Sequence, residues 1–300
     1  MNERVYLVDC GSGVARQLAR CGLLLRLHQV FVTHLHSDHA CDFFNLFLLS
    51  WPYLQHRATA VEAWGPGPAG GPSALPSEDP GDRPVPLVSP SNPCPGLVSM
   101  TNSQVEAHAY DINVRTREAG RAELSTLMAL HEIAIPDHVG ANPPEQVAPP
   151  MEPFLVAEDD AVRVTAILVE HPPVFPAFAY RFDTESGSVV MSGDTAPCTN
   201  LLRLARGADI LVHEVVDDDF MRERAGPSPR SQASLRHVLR SHTSVHDVGT
   251  VAAQAGVRTL VLTHFIPSVD GIPDEHWSAC ARAGFDGRVV VGRDLLEIEL

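Results

Sequence analysis

Short apolar runs recur along the chain, each bounded by polar or turn residues, and this pattern predicts buried strands. The runs are Val5–Val8, Gln29–Thr33, Val162–Val169, Ser188–Met191, Ile210–Val212, Thr259–Leu262 and Val289–Val291. Between them, apolar residues at three- and four-residue spacing predict helices near 40–51, 201–205 and 245–255, the last ending at Gly256. Strands that alternate with helices indicate a layered α/β domain.

The middle of the chain has a different composition. Half of the residues from Gly65 to Gly96 are proline or glycine, which predicts a long loop without regular structure. Residues 100–135 are predicted to be helical again, in two amphipathic pieces broken at Gly120. We therefore expect a single domain over residues 1–300 that carries an insertion at 65–150. The insertion is either a surface segment without a functional role or a lid.

Charge and composition narrow the choice of partners. The 300 residues contain 22 basic and 37 acidic side chains, a net charge of −15, so we expect no nucleic-acid partner. No apolar run approaches the ~18 residues of a membrane span. We expect no signal peptide, because residues 1–10 show no basic patch followed by an apolar core. The six scattered cysteines show no CxxC pair, which favours reduced thiols and a cytoplasmic location.

One cluster of side chains indicates metal binding. Residues 33–39 place His34, His36, Asp38 and His39 directly after a predicted strand. In an extended segment His34 and His36 point to the same side, so two ring nitrogens can bind one cation. Asp38 and His39 follow on the turn into a helix and can face a neighbouring position. Imidazole and carboxylate are ligands that zinc prefers.

Further polar residues occur where other apolar runs end. They are His171, Asp194, His213, Glu214 and His264. Open α/β sheets place their ligands at the ends of strands. The repetition across several strands predicts that these side chains converge on one site.

Several segments resemble the metallo-β-lactamase superfamily. THLHSDH at 33–39 resembles its HxHxDH signature, and three later segments resemble its ribonuclease Z-like branch. These segments are VEHPPVFPAFAYRF, SGDTAPCTNLLRLARGADILVHE and HTSVHDVGTVAAQAGVRTLVLTHFIP. The resemblance covers residues 4–64 and 155–300 and implies an α/β fold of four αββα layers.

The resemblance also implies a set of ligands and roles. One metal is expected to be held by His34, His36 and His171, the other by Asp38, His39 and His264, with Asp194 bridging the pair. The implied cofactor is two zinc ions, with manganese or iron as alternatives. Asp38 is expected to orient an attacking hydroxide, and His242, which Glu214 holds by a hydrogen bond, to protonate the leaving oxygen.

The chain departs from the ribonuclease Z pattern in three places. The sequence starts almost at Val5–Val8, where ribonuclease Z usually has a preceding hairpin, so we expect either a misassigned start or the loss of an edge strand pair. No basic, Gly-rich arm is visible. An extra apolar segment, Pro172–Pro176, follows His171 and is suited to line a pocket for a small organic group.

These observations predict a dinuclear zinc hydrolase that cleaves a small ester-like or phosphodiester substrate with a metal-bridging hydroxide. The expected partner is a small molecule, with neither nucleic acid nor membrane, and a homodimer is left open. One alternative is a ribonuclease Z that processes the 3′ end of tRNA. Others are a β-lactamase or lactonase and a non-catalytic metal-binding module.

Overall fold

A computed structural model describes residues 4–71, 86–143, 145–268 and 271–300. The middle of the proline- and glycine-rich loop, including the acidic residues near 78–82, lies outside these ranges. The chain divides into two compact units, Met1–Pro136 and Asp137–Leu300. Whether they fold as one domain, as the sequence predicts, is not tested by this division and stays a prediction.

The first unit contains a four-stranded parallel sheet in the order β1-β2-β3-β4. The strands are β1 (Val5–Val8), β2 (Leu27–Phe31), β3 (Val61–Pro66) and β4 (Met128–Ile133). The helices are α1 (Val14–Arg20), α2 (Ser37–Ala40), α3 (Phe43–Leu54), α4 (Leu97–Ala107) and α5 (Ala109–Glu118). Parallel pairing places all four carboxyl ends at one edge of the sheet, and β2 carries the HxHxDH segment to that edge.

Helix α3 supplies much of the core of this unit. Phe43, Phe47 and Trp51 recur at four-residue spacing on one face and are fully buried. The indole nitrogen of Trp51 donates a hydrogen bond to the Ala122 carbonyl at 3.1 Å. Replacing Phe47 by alanine should cost about 3–5 kcal/mol of folding free energy. This packing fixes the helix that follows the metal-ligating candidates.

The segment 100–135 differs from its predicted form. Two helices are present, but they are separated at His108, and the second ends at Glu118 before Gly120, whose φ is +60°. Residues 128–133 form strand β4 rather than helix, although Met-Ala-Leu favours a helix in isolation. Pairing with β3 overrides that local preference. The segment interpreted as an insertion therefore contributes a strand to the sheet, and a lid role stays a prediction.

The second unit contains a seven-stranded sheet in the order β11-β10-β9-β8-β7-β6-β5. Its strands are β5 (Phe154–Glu158), β6 (Arg163–Leu168), β7 (Phe178–Thr184), β8 (Gly187–Met191), β9 (Ile210–Val216), β10 (Thr259–Ile266) and β11 (Arg288–Val291). Its helices are α6 (Thr199–Leu204), α7 (Asp218–Arg224), α8 (Pro229–Ser241), α9 (Val248–Ala255) and α10 (Asp274–Arg282). Strands β8 to β11 pair in parallel and β5 to β8 antiparallel.

The predicted strands and helices agree with these elements to within a few residues. Helix α9 ends, as expected, at Gly256, whose φ of +68° suits glycine. Among the described helices, none has the length and apolar character that crossing a bilayer requires.

Candidate active site

The first unit brings two imidazoles of the HxHxDH segment into contact, with their ring planes inclined at 73°. His34 is fully buried, and its Nε2 lies 3.1 Å from Nδ1 of the half-buried His36. Two nitrogens that each bind one tetrahedral zinc at ~2.0–2.1 Å are separated by roughly 3.3 Å. The observed spacing therefore fits a shared divalent cation.

Asp9, which sequence reasoning missed, organises this cluster. Its Oδ1 accepts from the Thr33 amide at 2.7 Å, and its Oδ2 accepts from the Thr33 hydroxyl at 2.9 Å. The Thr33 hydroxyl donates to Asp9 and so accepts from Nδ1 of His34, at 3.1 Å. This tautomer leaves the lone pair of His34 on Nε2, the nitrogen that faces His36.

The same carboxylate orients His39. Oδ2 of Asp9 lies 2.7 Å from Nδ1 of the buried His39, and because a carboxylate only accepts, the proton is on that nitrogen. Nε2 of His39 then carries the lone pair, and it lies 3.7 Å from Oδ2 of the exposed Asp38. A carboxylate that orients a histidine ligand in this way raises its basicity. The available signal was Asp9's position directly after strand β1.

Gly11 allows the β1–α1 turn to approach this segment. A Cβ at Gly11 would lie only 2.2 Å from the Asp38 carbonyl oxygen, and the Cys10 amide donates to the His39 carbonyl at 2.6 Å. The backbone that carries Asp38 and His39 is therefore held directly against the end of β1.

The second unit gathers His171, Asp194 and His264. His171 is fully buried, and its Nδ1 donates to the Ser241 carbonyl at 2.9 Å, so Nε2 carries the lone pair. That Nε2 lies 4.0 Å from Oδ2 of the buried Asp194, and Nε2 of His264 lies 3.6 Å from the same oxygen. His264 sits at a register shift in β10 with φ +46°, which re-aims its side chain. Two imidazoles thus face one carboxylate oxygen, and both kinds of group are ligands that divalent metals such as zinc prefer.

Glu214 and His242 form a buried pair beside Asp194. Oε1 of Glu214 accepts from the amides of Thr195 at 3.0 Å and Thr243 at 3.2 Å, and it lies 3.1 Å from Nδ1 of His242. The histidine therefore donates through Nδ1 and keeps Nε2 for another partner. Burial raises the pKa of the Glu214 carboxyl, and the hydrogen bond to His242 opposes that rise. Glu214, His242 and His264 each offer an atom within 4.8 Å of the others.

His213, which the sequence also singled out, has a different environment. It alternates with Glu214 along β9, is fully buried, and lies with Nδ1 2.6 Å from the Glu214 carbonyl. Burial lowers its pKa to about 4, so the ring is neutral. We interpret it as a core imidazole.

The segment after His171 forms a turn in which the Val174 amide donates to the His171 carbonyl at 2.8 Å. The Ser241 hydroxyl donates to the Pro172 carbonyl at 2.5 Å. These two hydrogen bonds fix the backbone at His171 and Pro172. Pro172 from this turn also lines a cavity of the second unit.

Comparison with known proteins identifies the family. The family model described as the metallo-β-lactamase superfamily matches residues 2–222. A relative named Ribonuclease Z, from Mycobacterium bovis, is 31% identical over 99% of this chain and 88% of its own length. Another Ribonuclease Z, from Mycobacterium avium, is 30% identical over the same shares.

Two solved structures share the fold. The human tRNase Z short form has a TM-score of 0.58 at 18% identity, covering 99% of this chain and 88% of its own. The metallo-β-lactamase fold protein YhfI from Bacillus subtilis has a TM-score of 0.57 at 16% identity, covering 98% and 86%. The predicted metallo-β-lactamase fold is confirmed.

The expectation of a small-molecule partner and no nucleic acid is wrong, because the curated relatives are ribonucleases. The error came from using net charge, which sums over the whole molecule and does not exclude a local cationic surface.

Superfamily members bind divalent metals, and both units present histidine and carboxylate groups suited to them. The chain belongs to the metallo-β-lactamase superfamily, in its ribonuclease Z-like branch, and is a metal-dependent hydrolase.

Proposed function

We propose that this protein is an endoribonuclease of the ribonuclease Z type, which hydrolyses a phosphodiester at the 3′ trailer of precursor tRNA. The observation that carries the proposal is the 31% identity to Ribonuclease Z over 99% of the chain. The proposed substrate is therefore an RNA, in place of the small ester-like substrate that the sequence predicted.

The proposed cofactor is a pair of divalent metals, zinc first, with manganese or iron as alternatives. The proposed ligands are His34, His36, Asp38, His39, His171, Asp194 and His264. The assignment follows the motifs, and it is supported by the tautomers of His34, His39 and His171, each of which keeps its lone pair on Nε2. When bound, such metals lower the pKa of a water molecule and offset charge on the phosphate oxygens.

The proposed proton donor is His242. Its Nδ1 is occupied by Glu214, so Nε2 is the position from which a proton can pass to the leaving oxygen of the RNA. Glu214 is a positioning residue, since its two backbone hydrogen bonds fix the carboxylate and thereby the ring. Asp38, exposed beside His39, is proposed to orient the attacking oxygen.

Space for a nucleotide lies next to the ligands of the second unit. A cavity of about 350 Å³ is lined by Glu170, Pro172, Ala196 and Arg240, among others. Glu170 and Pro172 flank His171, and Arg240 precedes His242 by two residues. The Arg240 guanidinium suits a phosphate of the RNA next to the scissile bond.

The proposed place of action is the cytoplasm. All six cysteines are free, including the buried Cys10 and the exposed Cys21 and Cys41. Free thiols fit a reducing compartment.

A panel of substrates tests the proposal. Protein loaded with zinc, and separately with manganese, is incubated with a precursor tRNA that carries a 3′ trailer, with a mature tRNA, with a cephalosporin and with an aliphatic lactone. We expect a single cut in the precursor near the trailer junction and no turnover of the cephalosporin or lactone. Turnover of either one, with the precursor left intact, would show a different substrate class.

A further inference from the structure

A cavity in the first unit collects positive charge in an otherwise acidic protein. It has a volume of about 520 Å³ and is lined by Arg4, Leu25, Arg26, His28, Arg57, Ala58 and Thr59. Three of these side chains are arginines and none is acidic, although the whole chain carries a net charge of −15. This group is called the arginine cavity below.

Sheet topology explains why the cations meet. Arg4 directly precedes β1, Arg26 directly precedes β2, and Arg57 lies four residues before β3. The three strands are adjacent and parallel, with Val5 paired to Leu27, so their amino ends share one edge. The HxHxDH segment follows the carboxyl end of β2. His28 and His34 are therefore roughly 20 Å apart along the chain, at a strand rise of ~3.3 Å per residue.

A hydrogen bond fixes the guanidinium of Arg57 at this cavity. Its Nη1 donates to the Leu25 carbonyl at 2.8 Å, which holds the guanidinium in place. Its Nε is buried and has no hydrogen-bond partner among the residues that the structure describes. Burial also lowers the pKa of Arg57, and an anion in the cavity would offset that effect. A planar guanidinium with available donors matches the geometry of phosphate.

The shape of the cavity favours a polyanion over a small metabolite. Leu25 is 60% exposed, and Arg26, Ala58 and Thr59 are exposed as well, so the cavity is open along one side. An enclosed site would bury most of a small ligand, whereas a backbone phosphate needs only one face.

We propose that the arginine cavity binds a backbone phosphate of the RNA substrate, away from the bond that is cut. This proposal rests on the proposed ribonuclease function. It predicts that the cavity contributes to RNA affinity and has no part in the hydrolysis of substrates too small to reach it.

Binding and turnover of matched variants test the proposal. Arg26→Gln with Arg57→Gln is compared with Arg16→Gln with Arg20→Gln, two exposed positions in α1 of the same unit with the same loss of charge. Arg4→Gln with Arg26→Gln provides a second cavity variant that leaves the Arg57–Leu25 hydrogen bond intact. The Kd for a precursor tRNA is measured over a range of salt concentrations, together with turnover of a small aryl phosphodiester.

Both cavity variants should raise Kd roughly 10-fold at ~0.1 M salt and reduce the slope of log Kd against log salt by about 1, the change expected for the loss of one phosphate contact. The control variant should do neither, and aryl phosphodiester turnover should be unchanged in all. Equal Kd values and slopes for cavity and control variants would overturn the proposal. If the wild type binds the RNA but does not cut it, the proposed ribonuclease function is refuted. The role of the cavity is still decided separately, by the comparison of Kd values between cavity and control variants.

Discussion

Oδ2 of Asp9 lies 2.7 Å from Nδ1 of His39, which joins the end of the first strand to the HxHxDH segment. The same carboxylate holds Thr33, whose hydroxyl in turn contacts His34. One side chain outside the HxHxDH segment therefore sets the tautomers of two proposed ligands. The orientation of the metal ligands depends on a residue that binds no metal in our assignment.

Asp9→Asn should lower metal affinity by about 10- to 100-fold, because the amide no longer supplies a charged acceptor to His39. Asparagine tolerates the φ of +61° at this position, so the backbone should be retained. Titration with a chromophoric chelator measures the affinity. Asp111→Asn, which removes a carboxylate paired with Arg115, serves as control and should leave metal affinity unchanged.

Replacing both His34 and His36 by alanine should reduce metal content from about two ions per chain to about one, since two of the three imidazoles of one proposed site are lost. Elemental analysis of the purified protein gives the ratio. His56→Ala, at an exposed histidine, should retain the full content. One metal or none in carefully prepared wild type would contradict the dinuclear assignment.

His242→Ala should keep the metals and lower the rate of RNA cleavage by roughly 10²- to 10⁴-fold, the range for loss of a general acid. Single-turnover kinetics with saturating enzyme isolates the chemical step, and metal content is measured on the same samples. If the variant loses metal instead, His242 is a ligand, and the close approach of Glu214, His242 and His264 marks a coordination site.

Glu214→Gln should have a smaller effect than His242→Ala. Glutamine keeps an acceptor for the amides of Thr195 and Thr243 but removes the charge that stabilises a protonated His242. We expect a loss of about 10-fold in the cleavage rate with KM little changed. A purely structural role would instead lower the melting temperature and leave the rate per folded molecule as in wild type.

The sequence predicted seven of the eleven strands that the structure describes, because buried apolar runs are local signals; β3, β4, β5 and β7 were not among the predicted runs. Polar residues next to the ends of strands indicated most of the residues that our assignment uses, whereas His242 came only from the resemblance to the family. Strand β4 was missed because Met128–Ile133 favours a helix, and its strand form depends on pairing with β3, about 65 residues earlier. Asp9 was missed because one carboxylate after a strand is common, and its importance appears only through His39, 30 residues away.

The expectation that the chain has no nucleic-acid partner was a larger error than the missed strand and the missed carboxylate. Net charge predicted no nucleic acid, yet the parallel register of β1, β2 and β3 brings Arg4, Arg26 and Arg57 together from separate segments of an acidic chain. Dispersed arginines in a sequence do not reveal such a cluster, because their spacing in the fold depends on strand pairing.

The most direct measurement is the cleavage of precursor tRNA as metal is returned to chelator-treated protein. The account predicts no cut without metal, a rate that rises with added zinc or manganese, and a plateau near two equivalents per chain. The product should end at the 3′ trailer junction. Intact precursor in fully loaded protein, or cleavage that does not depend on metal, would contradict the assignment of this chain as a metal-dependent ribonuclease.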